Sequence, residues 1–168
     1  DKYPDNPMHA AAVFNAGMSR FESEAYMQAA QLFGRLIEKK NTEPAGTADA
    51  RYWHGLSLFN AGKYDGALTS LHPLIETPDL LSREHRRTAL AVSARALARR
   101  GSPDEAVKRF QQLFAQFPDA AGDPHLAYVH ATSLHAAGQA GDAIARLKKL
   151  LDRQPRFPGR SDAMFALA

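Results

Sequence analysis

The chain has 168 residues, of which 45% are hydrophobic and 23% charged, with a net charge of +3 and no cysteine. That length suffices for one domain, or one continuous array, with a sizeable core, and the apolar fraction excludes a disordered tail. No apolar run of about 18 residues predicts a membrane span. Without cysteine, a disulfide scaffold, a thiol nucleophile and a cysteine-based zinc site are all excluded.

Apolar residues recur at intervals of three and four, never at two, which predicts helices and no strands. In chain order, helices are expected near 7–21, 25–40, 47–60, 64–76, 82–100, 103–116, 124–137 and 140–153, with a ninth from 161 onward. Asn6-Pro7 and Asp123-Pro124 are N-cap signals, and Ser102-Pro103-Asp104-Glu105 reads as a capping box with proline at the first helical position. Gly62, Gly101 and Gly138 mark turns that need a left-handed or unwound residue. Pro73, inside the fourth helix, removes the bond to the Thr69 carbonyl and predicts a local kink.

The helices form a repeat. Small residues Gly17, Gly55, Ala94 and Ala131 follow one another after 38, 39 and 37 residues. Twelve residues beyond each stands Ala29, Ala67, Ala106 or Ala143. The pattern predicts a tandem helical hairpin, in which a small residue on the first helix and an alanine on the second let the two approach closely.

These residues resemble the tetratricopeptide repeat family over almost the whole chain. The resemblance implies an all-α fold, a right-handed α-solenoid of tandem helical hairpins. The repeats run about 7–43, 44–80, 81–119 and 120–158. Residues 1–6 read as the tail of a preceding repeat and 159–168 as the start of a following helix. On that register the chain is expected to be an internal or trimmed piece of a longer protein, with apolar end faces that favour self-association. The pattern departs from the family in its longer units, in alanine at Ala94 and Ala131, and in Leu36, Leu74, Leu113 and Leu150 where the family has a second-helix alanine. The stretches Tyr3-Pro4-Asp5-Asn6-Pro7, Phe117-Pro118-Asp119-Ala120-Ala121, Pro155-Arg156-Phe157-Pro158-Gly159 and Tyr52-Trp53-His54-Gly55 are similar to bacterial envelope members of the Tol–Pal-associated and outer-membrane-assembly lipoprotein types. That similarity implies an adaptor in the periplasm or at the outer membrane, with the cytoplasm as the alternative.

No catalytic constellation is present, and neither an enzyme nor any cofactor or metal is expected. His125, His130 and His135 are spaced by five, about 140° apart on a helix, so they do not share a face as metal ligands would. All seven histidines read as surface or groove polar residues. Residues 81–110 carry a net +5, which suits an acidic patch on a protein partner; with no aromatic residue interleaved among those basic residues before Phe110 at the end of the stretch, nucleic acid is disfavoured.

The family resemblance also implies a concave groove lined by first-helix positions. Carried onto this chain, these are Phe14, Met18 and Phe21, then Tyr52, Leu56 and Phe59, then Ala91, Arg95 and Ala98, then Tyr128, Thr132 and His135. Arg99 shares a helix face with Arg95. Such a lining suits an extended peptide or amphipathic helix with apolar anchors at one end and an acidic group further along. Ala91 and Thr88 stand where a carboxylate clamp would need basic groups, which disfavours a chaperone-tail ligand. The expectation is a non-enzymatic protein-interaction scaffold. Its alternatives are a structural array assembling through its ends and convex face, and a cytoplasmic regulator.

Overall fold

Each hairpin turn is closed by the same pair of backbone bonds. The N–H of Gly62 donates to the Phe59 carbonyl at 3.0 Å, and that of Lys63 to Leu58 at 2.8 Å. The pairs Gly101→Ala98 with Ser102→Leu97, and Gly138→His135 with Gln139→Leu134, repeat it. This double bond satisfies the last free carbonyls of the first helix and requires a left-handed residue, supplied by glycines at φ 74°, 83° and 77°. In the first hairpin the same bonds run from Glu24 to Phe21 and from Ala25 to Arg20. There the left-handed residue is Glu24, at φ 60°.

An L side chain in that conformation is strained by about 1–2 kcal/mol, part of which glycine would return through its more flexible unfolded chain. Glu24→Gly is therefore expected to stabilise the protein by roughly 0.5–1 kcal/mol, read as a rise in the urea midpoint. An unchanged or lowered midpoint would show that the turn carries no such strain.

The computed structural model describes residues 7–38 and 44–155. Its helices are α1 (Pro7–Glu22), α2 (Tyr26–Glu38), α3 (Pro44–Asn60), α4 (Tyr64–Glu76), α5 (Arg83–Arg100), α6 (Pro103–Gln116), α7 (Pro124–Ala136) and α8 (Ala140–Arg153). Short 3-10 turns occupy Pro78–Leu80 and Pro118–Gly122, and no strand occurs among the described residues. The expected ninth helix and the Asn6 cap lie outside the described residues.

The chain divides into two units, one ending at Val92 and the other beginning at Ser93, within α5. In the first unit α1 packs on α2, α2 on α3 and α3 on α4. In the second, α6 packs on α7 and α7 on α8, with the Pro118–Gly122 turn against α6 and α7.

The repeat has a physical counterpart in both units. Ala29, Ala67, Ala106 and Ala143 are each the fourth residue of a second helix, and none is more than 2% exposed. Each donates its N–H to the residue just before the helix, at 3.0–3.1 Å. On the facing helices, a Cβ built on Gly17 would lie 2.7 Å from the Phe33 ring, and one on Gly55 would lie 2.6 Å from Leu71. The second-helix side chain thus fills the space that a side chain on the first helix would need. Phe33 and Leu71 are fully buried there, each worth about 1.5–3 kcal/mol. In the last hairpin Ala131 packs on Leu147 at the same offset, so the alanine is accommodated.

One local expectation changes. Asp123 caps α7 as read, its Oδ1 accepting from the Leu126 N–H at 3.0 Å. Ser102 does not close a capping box: its hydroxyl accepts from Arg100 Nε at 3.1 Å, and Glu105 takes the same guanidinium at 2.9 Å. The arginine competes successfully because a charged donor outweighs a neutral backbone N–H. Helix α4 is continuous through Pro73, which stands three residues before its end at Glu76.

Candidate functional site

The first unit holds a continuous chain of aromatic contacts. Phe21, near the end of α1, meets Tyr26 of α2 edge-on at 5.4 Å and Trp53 of α3 at 5.2 Å. Trp53 meets Tyr52 at 5.3 Å, and Tyr52 stacks on His85 of α5 at 4.2 Å and 17°. Such edge-to-face and offset contacts add about 0.5–1.5 kcal/mol each to simple burial. The Ser82 hydroxyl, accepting from the His85 N–H at 3.1 Å, caps α5 and fixes where His85 enters the stack.

Burial divides the expected groove residues. Phe14, Met18, Phe21, Leu56 and Phe59 are half-buried. Phe14 rests edge-on against Phe33 at 5.4 Å, and Phe59 against Tyr64 at 5.8 Å. Tyr52 is only 4% exposed, so it presents almost no surface. Burial pushes its phenol pKa up, opposed by a side-chain hydrogen bond with Thr88. In the second unit Arg95, Arg99 and His135 are exposed. Tyr128 and Thr132 are half-buried, and the Thr132 hydroxyl donates to the Val129 carbonyl. Trp53, not among the expected residues, links Phe21 to Tyr52. Its position beside Tyr52 in the sequence was the available signal.

The reading of every histidine as a surface or groove residue is corrected at two positions. His54 is half-buried, with Nδ1 2.8 Å from the Ser70 hydroxyl; burial, aided by Arg51, lowers its pKa. His130 is 3% exposed, and neither ring nitrogen has a protein partner. It packs 5.1 Å from Phe110 and 5.3 Å from Phe114, and burial, reinforced by Arg146, lowers its pKa to about 4. Both histidines directly precede a small repeat residue and so point toward the second helix, a position the spacing already contained.

His130 lies against a cleft of about 780 Å³ in the second unit, bordered by α6, the Pro118–Gly122 turn and α8, with α7 beneath. The Arg146 guanidinium crosses it to lie 5.3 Å over the Phe114 ring. Among the described residues no group of three His, Asp or Glu could hold a metal, and no helix is long and apolar enough to cross a membrane.

Helical hairpins joined by identical turns, with equivalent alanines and small residues at their crossings, define an α-solenoid repeat protein. A tetratricopeptide repeat family model matches residues 14–71 and 92–122, more than half of the sequence, and the chain belongs to that family. Among curated proteins, none matches it in sequence. Three solved structures share its fold. MamA of AMB-1 is 16% identical with a TM-score of 0.75, covering 96% of this chain and 80% of that one. YrrB, a TPR protein with an unusual peptide-binding site, is 24% identical with a TM-score of 0.72, covering 94% and 72%. A putative kinesin light chain of Podosopora anserina with nearly identical TPR-like repeats is 17% identical with a TM-score of 0.69, covering 97% and 85%.

Proposed function

We propose that the chain is a non-enzymatic interaction scaffold that binds a peptide or protein segment along its first-helix positions. Membership of a repeat family built for protein interaction supports the reading. The observation that carries it is the set Phe14, Met18, Phe21, Leu56 and Phe59 in the first unit, large apolar side chains held half-way between core and solvent. Apolar anchors of that kind suit a helix or extended segment with bulky side chains. In the second unit, taken by itself, the exposed Arg95 and Arg99 suit an acidic group on a partner. The peptide-binding site named for YrrB is a further support by analogy. The setting we propose is a multiprotein assembly of the bacterial envelope, on the strength of the proline joints and the Tyr52-Trp53-His54-Gly55 stretch.

The test compares partner capture by the wild type and by Phe14→Ala/Leu56→Ala/Phe59→Ala, with folding checked by circular dichroism. The folded variant is expected to lose its partners. Retention of the same partners would place recognition elsewhere on the molecule and favour the structural array. Arg95→Glu/Arg99→Glu is expected to remove the salt-sensitive part of binding.

A further inference from the structure

His130 and Arg146 occupy a repeat position whose use differs between hairpins. In the second hairpin the residue before the small glycine is His54, and the residue fifteen beyond that glycine is Ser70; the two are hydrogen-bonded at 2.8 Å. In the fourth hairpin the same positions hold His130 and Arg146. No hydroxyl answers the imidazole there, and both its nitrogens are left without a protein partner although the residue is only 3% exposed. A buried polar group without a partner forfeits its hydration with nothing in return, so such groups are rare unless something outside the chain satisfies them. Here the imidazole borders an open cleft rather than a sealed core.

We propose that the cleft between α6 and α8 is a second binding site, which takes an acidic peptide segment and seats one of its carboxylates between His130 and Arg146. The imidazole N–H and the guanidinium together offer two donors, and a carboxylate has two acceptor oxygens. Arg146, Lys149 and Arg153 recur at intervals of three and four, so they share one face of α8 and line the cleft along its length. They outnumber the two carboxylates of the lining, Asp119 and Asp142. The volume of about 780 Å³ far exceeds that of a lone carboxylate. The side-chain amides of Gln111, Gln139 and Gln154 provide donors and acceptors for a peptide backbone, and Pro118 and Leu150 provide apolar contact. The site is independent of the one proposed above: it uses Ala127, His130 and Leu134 of α7, whereas Tyr128, Thr132 and His135 lie on another face of that helix.

The test titrates the whole chain with a fluorescein-labelled peptide, Glu-Glu-Leu-Glu-Glu, with its all-Gln counterpart and with inorganic phosphate, while NMR follows the His130 ring. The acidic peptide is expected to bind with a dissociation constant of roughly 100 μM at low salt. Its carboxylate should raise the His130 titration midpoint from about 4, because a nearby anion favours the imidazolium. Arg146→Gln and His130→Phe should each weaken binding about tenfold or more, the loss typical of a charge-assisted bond. Lys148→Gln makes the same charge change on α8 outside the cleft and should leave affinity within about twofold. Equal affinity for wild type and Arg146→Gln would overturn the proposal, as would equal losses in Arg146→Gln and Lys148→Gln. Binding of the all-Gln peptide as tight as the acidic one, or phosphate matching the acidic peptide, would overturn the carboxylate-bearing peptide as occupant. Should His130→Phe fail to fold, Arg146→Gln with the His130 NMR signal decides the matter alone.

Discussion

Phe110→Ala is expected to destabilise the second unit by about 3–5 kcal/mol, the cost of emptying a buried aromatic site. Phe110 is fully buried on α6, stacked on Phe114 at 5.8 Å and 26°, and its ring lies 5.1 Å from His130. It therefore forms the apolar wall on the side of His130 away from the cleft's open mouth. Truncation opens a cavity beside a polar ring, and such a cavity admits solvent where a purely apolar one stays dry. The His130 pKa should then move from about 4 back toward its ordinary 6.5. Urea denaturation followed by far-UV circular dichroism measures the first effect, and NMR titration of the ring measures the second. A loss below about 1 kcal/mol would mean that Phe110 is not part of a packed core.

The second large effect is a fall in stability with acid, carried by His130. Its pKa is lowered to about 4 in the folded protein, against 6.5 for an ordinary histidine. Between those values the unfolded chain binds a proton that the folded chain refuses. Stability from this group is therefore complete above pH 6.5, declines as pH falls toward 4, and is spent below 4. The full span amounts to about 3 kcal/mol at roughly 1.4 kcal/mol per pH unit. Arg146 faces the imidazole from α8 and acts in the same direction as burial, so Arg146→Gln should raise the pH at which the decline ends and reduce its total size, while its onset near 6.5 stays. Carboxylates titrate in the lower part of the same window, so the measurement is the difference between wild type and His130→Phe at each pH. That difference should vanish as a function of pH if the imidazole is already hydrated. His54, also lowered by burial, contributes a decline of the same sign from the first unit, which His130→Phe leaves in place.

What the amino-acid sequence determined by itself was the repeated local geometry. Spacings of three and four, a glycine at each of three turns, and an alanine twelve residues past each small position specify helical hairpins, because turn chemistry and helix periodicity are properties of neighbouring residues. The eight expected helices accordingly begin and end within three residues of those in the structure. The groove positions, carried over from the family, name which helix face a residue occupies but not what lies opposite. It takes the packed fold to close Tyr52 in with His85, to join it through Trp53 to Phe21, and to divert Ser102 from its cap to Arg100. It alone showed that Glu24 must take the left-handed place that glycine fills elsewhere, since closing the turn outweighs the strain on one residue. The same holds for His130, whose spacing says nothing of its missing partner: whether an imidazole is satisfied depends on the residue that the second helix brings against it, a serine in one hairpin and an arginine in another.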